Sequence, residues 1–279
     1  MHRHGFRNAV ETRSELHFLQ ALAAQLPAER IAVPMPIAAR DGELVVEVDG
    51  RHCDLLSWVD GRVLRPTRGL GLAGTALLGE SLGRLHGFAE RWRPPAGVEL
   101  PTWDYEAFFT EASPYRPRGL RALMSREDWT VFRDVAAQTR AVFALLDGLD
   151  GAKGIIHADF ILLNCHFTRR GRGWKVGVID FDDLGWGYFL YDLAPLLGNL
   201  ADFPRYRPMR DAFLAGYRSV RDLPTEIERH LPVLMAARHA VACLWAAGID
   251  RSEGAGVPVR KHIAIRLELM RACLALAKS

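Results

Sequence analysis

Two short apolar runs, each leading directly into an acidic residue, constrain the fold of this chain more than any other feature. Residues 154–156 precede the loop 157–164, which reads His-Ala-Asp-Phe-Ile-Leu-Leu-Asn, and the β-branched run 174–179 precedes Asp180. A turn rich in glycine and arginine at 169–173 separates them, and both runs have the composition of strands. The pattern predicts that Asp159 and Asp180 each lie at the end of a strand.

The residue types around these strand ends are typical of phosphoryl transfer. Asp159 and Asn164 are separated by four residues, and Asp180 follows later in the chain. This is the spacing of a catalytic base, a metal ligand and a second metal ligand in protein kinases. Asp159 would accept or orient the proton of a substrate hydroxyl, while Asn164 and Asp180 would offer the oxygen ligands that Mg²⁺ prefers.

At these residues the chain resembles the aminoglycoside phosphotransferase and choline kinase-like superfamily, whose loop usually reads H-G-D-L-H-x-x-N and whose metal segment reads I-D-F/W-x-D. Residues 178–194, VIDFDDLGWGYFLYDLA, match it closely. The resemblance implies ATP and Mg²⁺ as cofactors and a small-molecule hydroxyl as acceptor. It implies the following roles: Asp159 as catalytic base, Asn164 and Asp180 as magnesium ligands, and His157 and Asp192 as structural support.

Two details of the loop and the metal segment depart from or extend that pattern. Residues 160–163 are four consecutive apolar side chains where the family commonly has polar residues or glycine, so some are expected to pack inward. Asp182 is a further candidate near the metal or substrate. Adjacent side chains on a strand face opposite sides, so Asp182 and Asp183 are not expected to serve one ion together.

The resemblance implies an α+β, protein kinase-like two-lobe fold. We expect a small, partial antiparallel β lobe with one helix over residues 1–60, and a larger, mainly helical lobe over residues 61–279. Strands are expected at 32–37, 42–48 and 51–59, with Asp49-Gly50 as a hairpin turn. Apolar periodicity predicts helices at 8–26, 128–146, 209–217, 226–247 and 258–277, and another that contains Leu78 and Ala89.

The segment between the predicted lobes is expected to hold the nucleotide base. By the resemblance, Leu56, Ser57, Trp58 and Val59 would offer backbone N–H and C=O groups to adenine. The same residues also fit an ordinary sheet core in which Trp58 merely fills space.

Glu15 is the remaining nucleotide-related candidate, and two interpretations of it stay open. It shares the apolar face of the first predicted helix with Phe18, Leu19 and Leu22, where a carboxylate needs a cation. In kinases that cation is a strand lysine that also holds phosphates. Alternatively, Thr12 and Glu15 form a capping box that starts the helix.

The start of the chain departs from the family. None of the four lysines precedes Glu15, and no glycine-rich phosphate loop lies upstream of it. Residues 2–7 resemble the end of the cation-bearing strand and its turn, so a shortened N-terminal lobe is expected. This departure supports an alternative function, a non-catalytic or inactive kinase-like binding protein.

A second glycine pattern, G-x-G-x-x-G at residues 69–74, is interpreted as the entry to a helix. A dinucleotide-binding loop requires a strand directly before it, and residues 64–68 contain a proline and no strand alternation.

Composition excludes several other classes. The chain has 279 residues, 49% of them hydrophobic, and a net charge of +3 with scattered basic residues, so neither nucleic acid nor a membrane is expected as a partner. No membrane-spanning run is expected, and four cysteines without C-x-x-C spacing suggest a cytoplasmic protein. A zinc or manganese hydrolase using His157, Asp159, His166 and Asp180 is a third function class, although their spacing matches no zinc signature.

Overall fold

The computed structural model describes residues 8–27, 29–110, 112–115, 119–171, 173–249 and 258–277. Its strands are β1 Ile31–Ala32, β2 Val46–Val48, β3 Arg51–Cys53, β4 Arg62–Val63, β5 Lys153–Ile156, β6 Cys165–Arg170, β7 Gly173–Val178 and β8 Gly185–Tyr188. Its α-helices are α1 Ala9–Gln25, α2 Leu72–Arg91, α3 Tyr105–Phe109, α4 Arg126–Asp147, α5 Phe189–Asp192, α6 Ala194–Leu200, α7 Tyr206–Arg218, α8 Thr225–Glu228, α9 Leu231–Ile249 and α10 Val259–Leu276. The α+β class is therefore confirmed.

The chain forms two compact units, each discontinuous in sequence. The first contains Met1–Pro101, Gly154–Trp186 and Asn199–Leu223, and the second contains Thr102–Lys153, Gly187–Gly198 and Pro224–Ser279. The lobe boundary predicted at residue 60 falls inside the first unit, and that division of the chain stays a prediction.

A four-stranded sheet with the order β1-β7-β6-β4 is the centre of the first unit. β6 and β7 form an antiparallel hairpin in which Cys165 pairs with Val178. β1 lies parallel to β7, and β4 lies antiparallel to β6. The hairpin brings the residue before β6 and the residues after β7 to the same end of the sheet.

The second, smaller hairpin confirms the predicted turn. Asp49 and Gly50 both have left-handed backbone, with φ of 52° and 72°, between the antiparallel strands β2 and β3. Two left-handed central residues define a type I′ turn, which Asp-Gly favours because its twist matches that of the strands. β2 is shorter than the predicted strand 42–48, and β3 ends at Cys53.

Helix α1 occupies the predicted range, and the way it begins excludes one of the two interpretations of Glu15. Its N-cap is Asn8, which accepts from the backbone N–H groups of Val10 and Glu11, while the Glu11 side chain accepts from Asn8 N in return. This capping box closes the helix start one turn before Glu15. The alternative in which Thr12 and Glu15 form the capping box is therefore wrong.

Helix α2 begins inside the glycine pattern at 69–74, at Leu72, with Gly71 as its N-cap and Gly74 in its first turn. No strand directly precedes that N-cap in the described chain, as expected for a helix entry. α2 then lies against α7 so closely that a Cβ on Gly79 would overlap Phe213 O, and one on Gly216 would overlap Ala76 O. Glycine at these two positions therefore permits the helices to touch through their backbones.

The second unit is mainly helical and is built around α9, which lies against α4 and α10. The prediction of one helix over 226–247 was wrong, because α8 ends at Glu228 and α9 begins at Leu231. Pro232 lacks a backbone N–H and is tolerated in the first turn of a helix, which favours a new start there.

The expectation that no run reaches membrane-spanning length was also wrong. Leu231–Gly248 meets that criterion, with a mean hydropathy of 1.4 over 18 residues. However, 78% of this segment is buried inside the protein, as in the core helix of a globular domain. A helix that is buried among other helices can be apolar on most of its surface, so it meets the same length and hydropathy criteria as a membrane span.

Candidate active site

The loop after β5 has a tightly turned backbone. Ala158 has left-handed backbone with φ of 63°, at a position where the resembled family usually has glycine. Asp159 O then accepts from Ile161 N at 2.8 Å, and Ile161 O accepts from Asn164 N at 3.0 Å. A short 3₁₀ helix at Leu162–Asn164 completes the loop and leads into β6.

The apolar middle of the loop packs inward in part, as expected. Phe160 and Leu162 are buried at 0% and 7% exposure, whereas Leu163 is 55% exposed. The N–H of Leu162 also donates to the side-chain oxygen of Asn199 at 3.2 Å. Asn199 is thus a support of the loop that the sequence did not reveal, because nothing in the local pattern around it points to this distant contact.

Asn164 and Asp159 are joined directly. The Asn164 amide nitrogen Nδ2 donates to Asp159 Oδ2 at 3.1 Å and to Asp159 O at 3.0 Å. These two acceptors assign the amide orientation, since only the nitrogen can donate. The Asn164 oxygen Oδ1 then points elsewhere and can serve as a cation ligand.

The segment that carries Asp180 is bonded to the same loop. Ile179 N donates to Asn164 O at 3.0 Å, and His157 Nε2 lies 3.1 Å from Ile179 O. Because a carbonyl oxygen only accepts, His157 carries its proton on Nε2 in this contact. The His157 ring is 3% exposed and lies 4.5 Å from the Phe181 ring, measured between centroids. The structural role of His157 stays a prediction.

Asp180 lies where negative charge accumulates. Its pKa is raised above the ordinary value, first by the protein atoms that desolvate it, then by the charges of Asp182 and Asp159, and His157 opposes the shift. A site in which carboxylates repel one another suits a cation, which would relieve that repulsion. The donor set of one amide oxygen and carboxylate oxygens fits a hard ion such as Mg²⁺.

Asp180 also has left-handed backbone, with φ of 65°. Aspartate and asparagine tolerate this conformation better than most residues. Residues 179–184 are not on a strand, and Asp182 and Asp183 lie in a turn. The argument that adjacent strand side chains face opposite ways was therefore wrong for this pair. Asp182 is exposed, and its charge acts on Asp180.

Two predicted residues lie apart from this cluster in the chain and stay predictions in their roles. Glu15 is 4% exposed on α1, and residues 2–7, which were expected to end a cation-bearing strand, lie outside the described residues. Asp192 is fully buried in α5 of the second unit.

The predicted base-binding segment, residues 56–59, has a strand-like arrangement. Ile37 N donates to Leu55 O and Ser57 N donates to Met35 O, each at 2.8 Å. Backbone groups alternate in direction along an extended segment, so those of Leu56 and Trp58 point to the opposite side. Trp58 is 86% exposed, so its interpretation as a core filler was wrong. The base-binding role itself stays a prediction.

The hydrolase alternative lacks a ligand cluster. Within the described ranges, no group of three or more His, Cys, Asp or Glu side chains is arranged to hold a metal ion. The four residues proposed for zinc or manganese are therefore not gathered as such a site. This finding does not bear on a site made of Asn164 and Asp180, since asparagine is not among those residue types.

Comparisons with known proteins give the family of the chain. A family model described as "Phosphotransferase enzyme family" matches residues 1–229. An uncharacterized protein of Deinococcus radiodurans is 32% identical over 267 residues, covering 89% of this chain and 69% of that protein. A homoserine kinase of Mesorhizobium japonicum is 30% identical over 244 residues, covering 80% of this chain and 66% of that protein.

A solved structure gives the fold. The structure of a microcompartment-associated aminopropanol kinase matches with a TM-score of 0.83 and 26% identity, covering 99% of this chain and 85% of that chain. The predicted protein kinase-like fold is thereby confirmed. The chain spans between 63% and 69% of the length of the first curated relatives that it matches.

Proposed function

Since the chain belongs to the phosphotransferase enzyme family, we propose that it transfers the γ-phosphate of ATP to a hydroxyl group of a small molecule. One observation carries this proposal more than the others. Asn164 donates to the Asp159 carboxylate through its side chain, and its backbone carbonyl accepts from Ile179, the neighbour of Asp180. The proposed base and the first proposed ligand are thus joined by a side-chain hydrogen bond, and the backbone next to the second proposed ligand is bonded to the same asparagine.

Asp159 is proposed as the catalytic base. Asp159 is partly exposed, whereas the residues on both sides of it are buried. It would orient the acceptor hydroxyl and accept its proton as the hydroxyl oxygen bonds to the γ-phosphorus and the bond from that phosphorus to the departing ADP oxygen breaks. The hydrogen bond from Asn164 holds one carboxylate oxygen, which limits rotation of the group and keeps it ready for the hydroxyl.

Asn164 and Asp180 are proposed to hold Mg²⁺. The ion would supply positive charge that neutralises the phosphate oxygens during transfer. Asn164 would bind through Oδ1, because its Nδ2 is used for Asp159. His157 would keep Asp180 in place through its contact with Ile179 O, and Asp182 adds negative charge nearby.

For the nucleotide base, we propose the backbone groups of Leu56 and Trp58. They point away from residues 35–37, whose partners are Leu55 and Ser57. An acceptor and a donor two residues apart match the hydrogen-bonding edge of adenine.

All four cysteines are free of disulfides, which supports the proposed cytoplasmic location.

The acceptor is proposed to be a small hydroxylated amine. The similar proteins include a homoserine kinase and an aminopropanol kinase, and both names describe acceptors that carry an amine and a hydroxyl. The exposed Asp182, which is not assigned to the metal ion, is consistent with a cationic acceptor, because negative charge attracts cations. The alternative remains a kinase-like protein that binds nucleotide without catalysis.

Phosphorus NMR of the protein with ATP, Mg²⁺ and a panel of acceptors tests this proposal. The panel contains aminopropanol, homoserine, choline and an aminoglycoside, and Asp159→Asn serves as the control. A new phosphate ester with the unmutated protein, absent with the variant, supports the kinase. Magnesium-dependent ATP binding without any ester favours the non-catalytic alternative, and absence of binding contradicts both.

A further inference from the structure

We propose that Gly177 is a positioning residue for the nucleotide. Its missing side chain leaves room for Val59, so that the base-binding segment rests on the hairpin whose ends carry Asn164 and Asp180. This inference rests on the proposed function, because it concerns the spacing between the sites proposed for the base and for the metal ion.

The contact between Gly177 and Val59 is specific. A Cβ on Gly177 would overlap Val59 Cγ1, while its next neighbours, His166 O and Asp60 O, would lie at the ordinary distances of 3.6 and 3.7 Å. The φ of Gly177 lies outside the left-handed region that disfavours other residues. Alanine is therefore excluded at this position only by Val59.

Neither partner can move away freely. Val59 is 8% exposed and β-branched, so it has few alternative rotamers. β7 is an interior strand, in which Gly177 pairs with Ala32 of β1 on one side and with His166 of β6 on the other. An added methyl group would therefore displace Val59 and the backbone that carries it.

A second set of contacts holds the same segment to the other strand of the hairpin. The Thr168 hydroxyl donates to Asp60 O at 2.8 Å. Gly61 has φ of +134°, and a Cβ there would lie 2.9 Å from Thr168 Oγ1. Residues 59–61 thus contact both β6 and β7 directly.

These contacts hold the segment proposed to bind the base at a defined distance from the residues proposed to bind the metal ion. Val59 directly follows Trp58, while Gly177 lies three residues before Asp180. In a bound nucleotide, the base and the phosphates are separated by a fixed number of bonds, so a shift of one binding element misaligns the other. A displacement of about 1 Å can cost about 100-fold in rate when it misplaces reacting groups.

Gly177→Ala tests the inference by titration of the full chain with Mg·ATP in a calorimeter. We expect at least a tenfold weaker Kd, a higher KM for ATP, and an unchanged KM for the acceptor. The double variant Val59→Ala with Gly177→Ala should restore most of the affinity, because the added methyl then fills the space that Val59 vacates. Gly87→Ala on α2 is the matched control, since a Cβ there meets only Arg91 Nη1 at 3.6 Å.

The outcomes separate this inference from the proposed function. If the unmutated protein does not bind Mg·ATP, both fail. If it binds, and Gly177→Ala binds equally well or is not rescued by Val59→Ala, the inference is overturned and the proposed function stands. If Gly177→Ala does not fold, Val59→Leu is used as the test variant instead, because it adds bulk to the same contact from the side of Val59. The same loss of affinity is expected. If Gly177 had a purely structural role, Gly177→Ala would lower the melting temperature. The Kd measured at temperatures at which the variant is folded would then be unchanged.

Discussion

The side-chain amide of Asn164 donates to the carboxylate of Asp159 across 3.1 Å, which links the proposed metal ligand to the proposed base. The same amide also donates to the backbone carbonyl of Asp159 at 3.0 Å, so it holds both the side chain and the backbone of that residue. Changing either residue should therefore affect the other, and the effects of two substitutions should not add.

Asp159→Asn should abolish turnover and spare nucleotide binding. Loss of a general base costs about 100- to 10,000-fold in rate, while the proposed magnesium ligands remain. Steady-state rates and the Kd for Mg·ATP measure the two effects separately. Asp150→Asn, an exposed change in the second unit, is the control. A variant with unchanged turnover would remove Asp159 from the mechanism.

Asn164→Ala should weaken magnesium activation as well as turnover. It removes the oxygen Oδ1 and the donor to Asp159 together. Asn164→Asp keeps an oxygen but replaces the donor with a like charge beside Asp159, so its turnover should also fall while its magnesium affinity is better retained. Initial rates over a range of Mg²⁺ concentrations distinguish the two variants. Equal magnesium dependence in both would contradict the assignment of Oδ1 as ligand.

Ala158→Gly should leave stability unchanged or raise it. A left-handed conformation costs a non-glycine residue about 1–2 kcal/mol, which Ala158→Gly would relieve. The greater conformational entropy of glycine in the unfolded chain reduces that gain by about 0.5–1 kcal/mol. Urea unfolding measures the difference. Ala136→Gly within α4 is the control and should destabilise by about 1 kcal/mol or more, because helix interiors disfavour glycine. A similar loss for Ala158→Gly would mean that its backbone is not strained.

Glu80 should contribute stability that disappears in acid. Burial alone would raise its pKa, but hydrogen bonds from Arg30 and Arg84 outweigh burial and hold the pKa below its ordinary value of 4.5. A carboxyl whose folded pKa is lowered stabilises the folded state above the unfolded pKa, and this contribution is lost as the pH falls through the folded pKa.

Glu80→Gln should therefore lower the free energy of unfolding at pH 7. The difference from the unmutated protein should shrink as the pH falls below 4.5, the ordinary value for this group. Denaturant unfolding at several pH values gives the curve, with the exposed Glu268→Gln as a control that shows little difference at pH 7. A difference that is constant from pH 7 to about pH 3 would contradict the ion-pair account.

Local sequence patterns predicted some, but not all, of the elements that hold the site. The β-branched run at 174–179 predicted β7 with both ends within one residue of the observed strand. Apolar periodicity predicted α1, α4 and α10. β6 was missed, although Cys165 and Phe167 are buried and alternate with the less buried His166 and Thr168. That two-residue alternation is the signature of a half-buried strand and could have been recognised.

Other features depend on contacts that the sequence does not encode locally. The hydrogen bond from Leu162 to Asn199 joins residues that are far apart in the chain, and so does the packing of Val59 against Gly177. The left-handed backbone of Ala158 and Asp180 is also imposed by the surrounding structure, since neither residue type requires it.

Calorimetric titration of the chain with ATP, with and without Mg²⁺, tests the central claim most directly. Asp180→Asn is the informative variant, because asparagine tolerates the left-handed backbone of that position and removes only the charge. The account predicts binding that is strengthened by Mg²⁺ in the unmutated protein and in Asp159→Asn, and loss of that strengthening in Asp180→Asn. Equal ATP affinity with and without Mg²⁺ in the unmutated protein would contradict it.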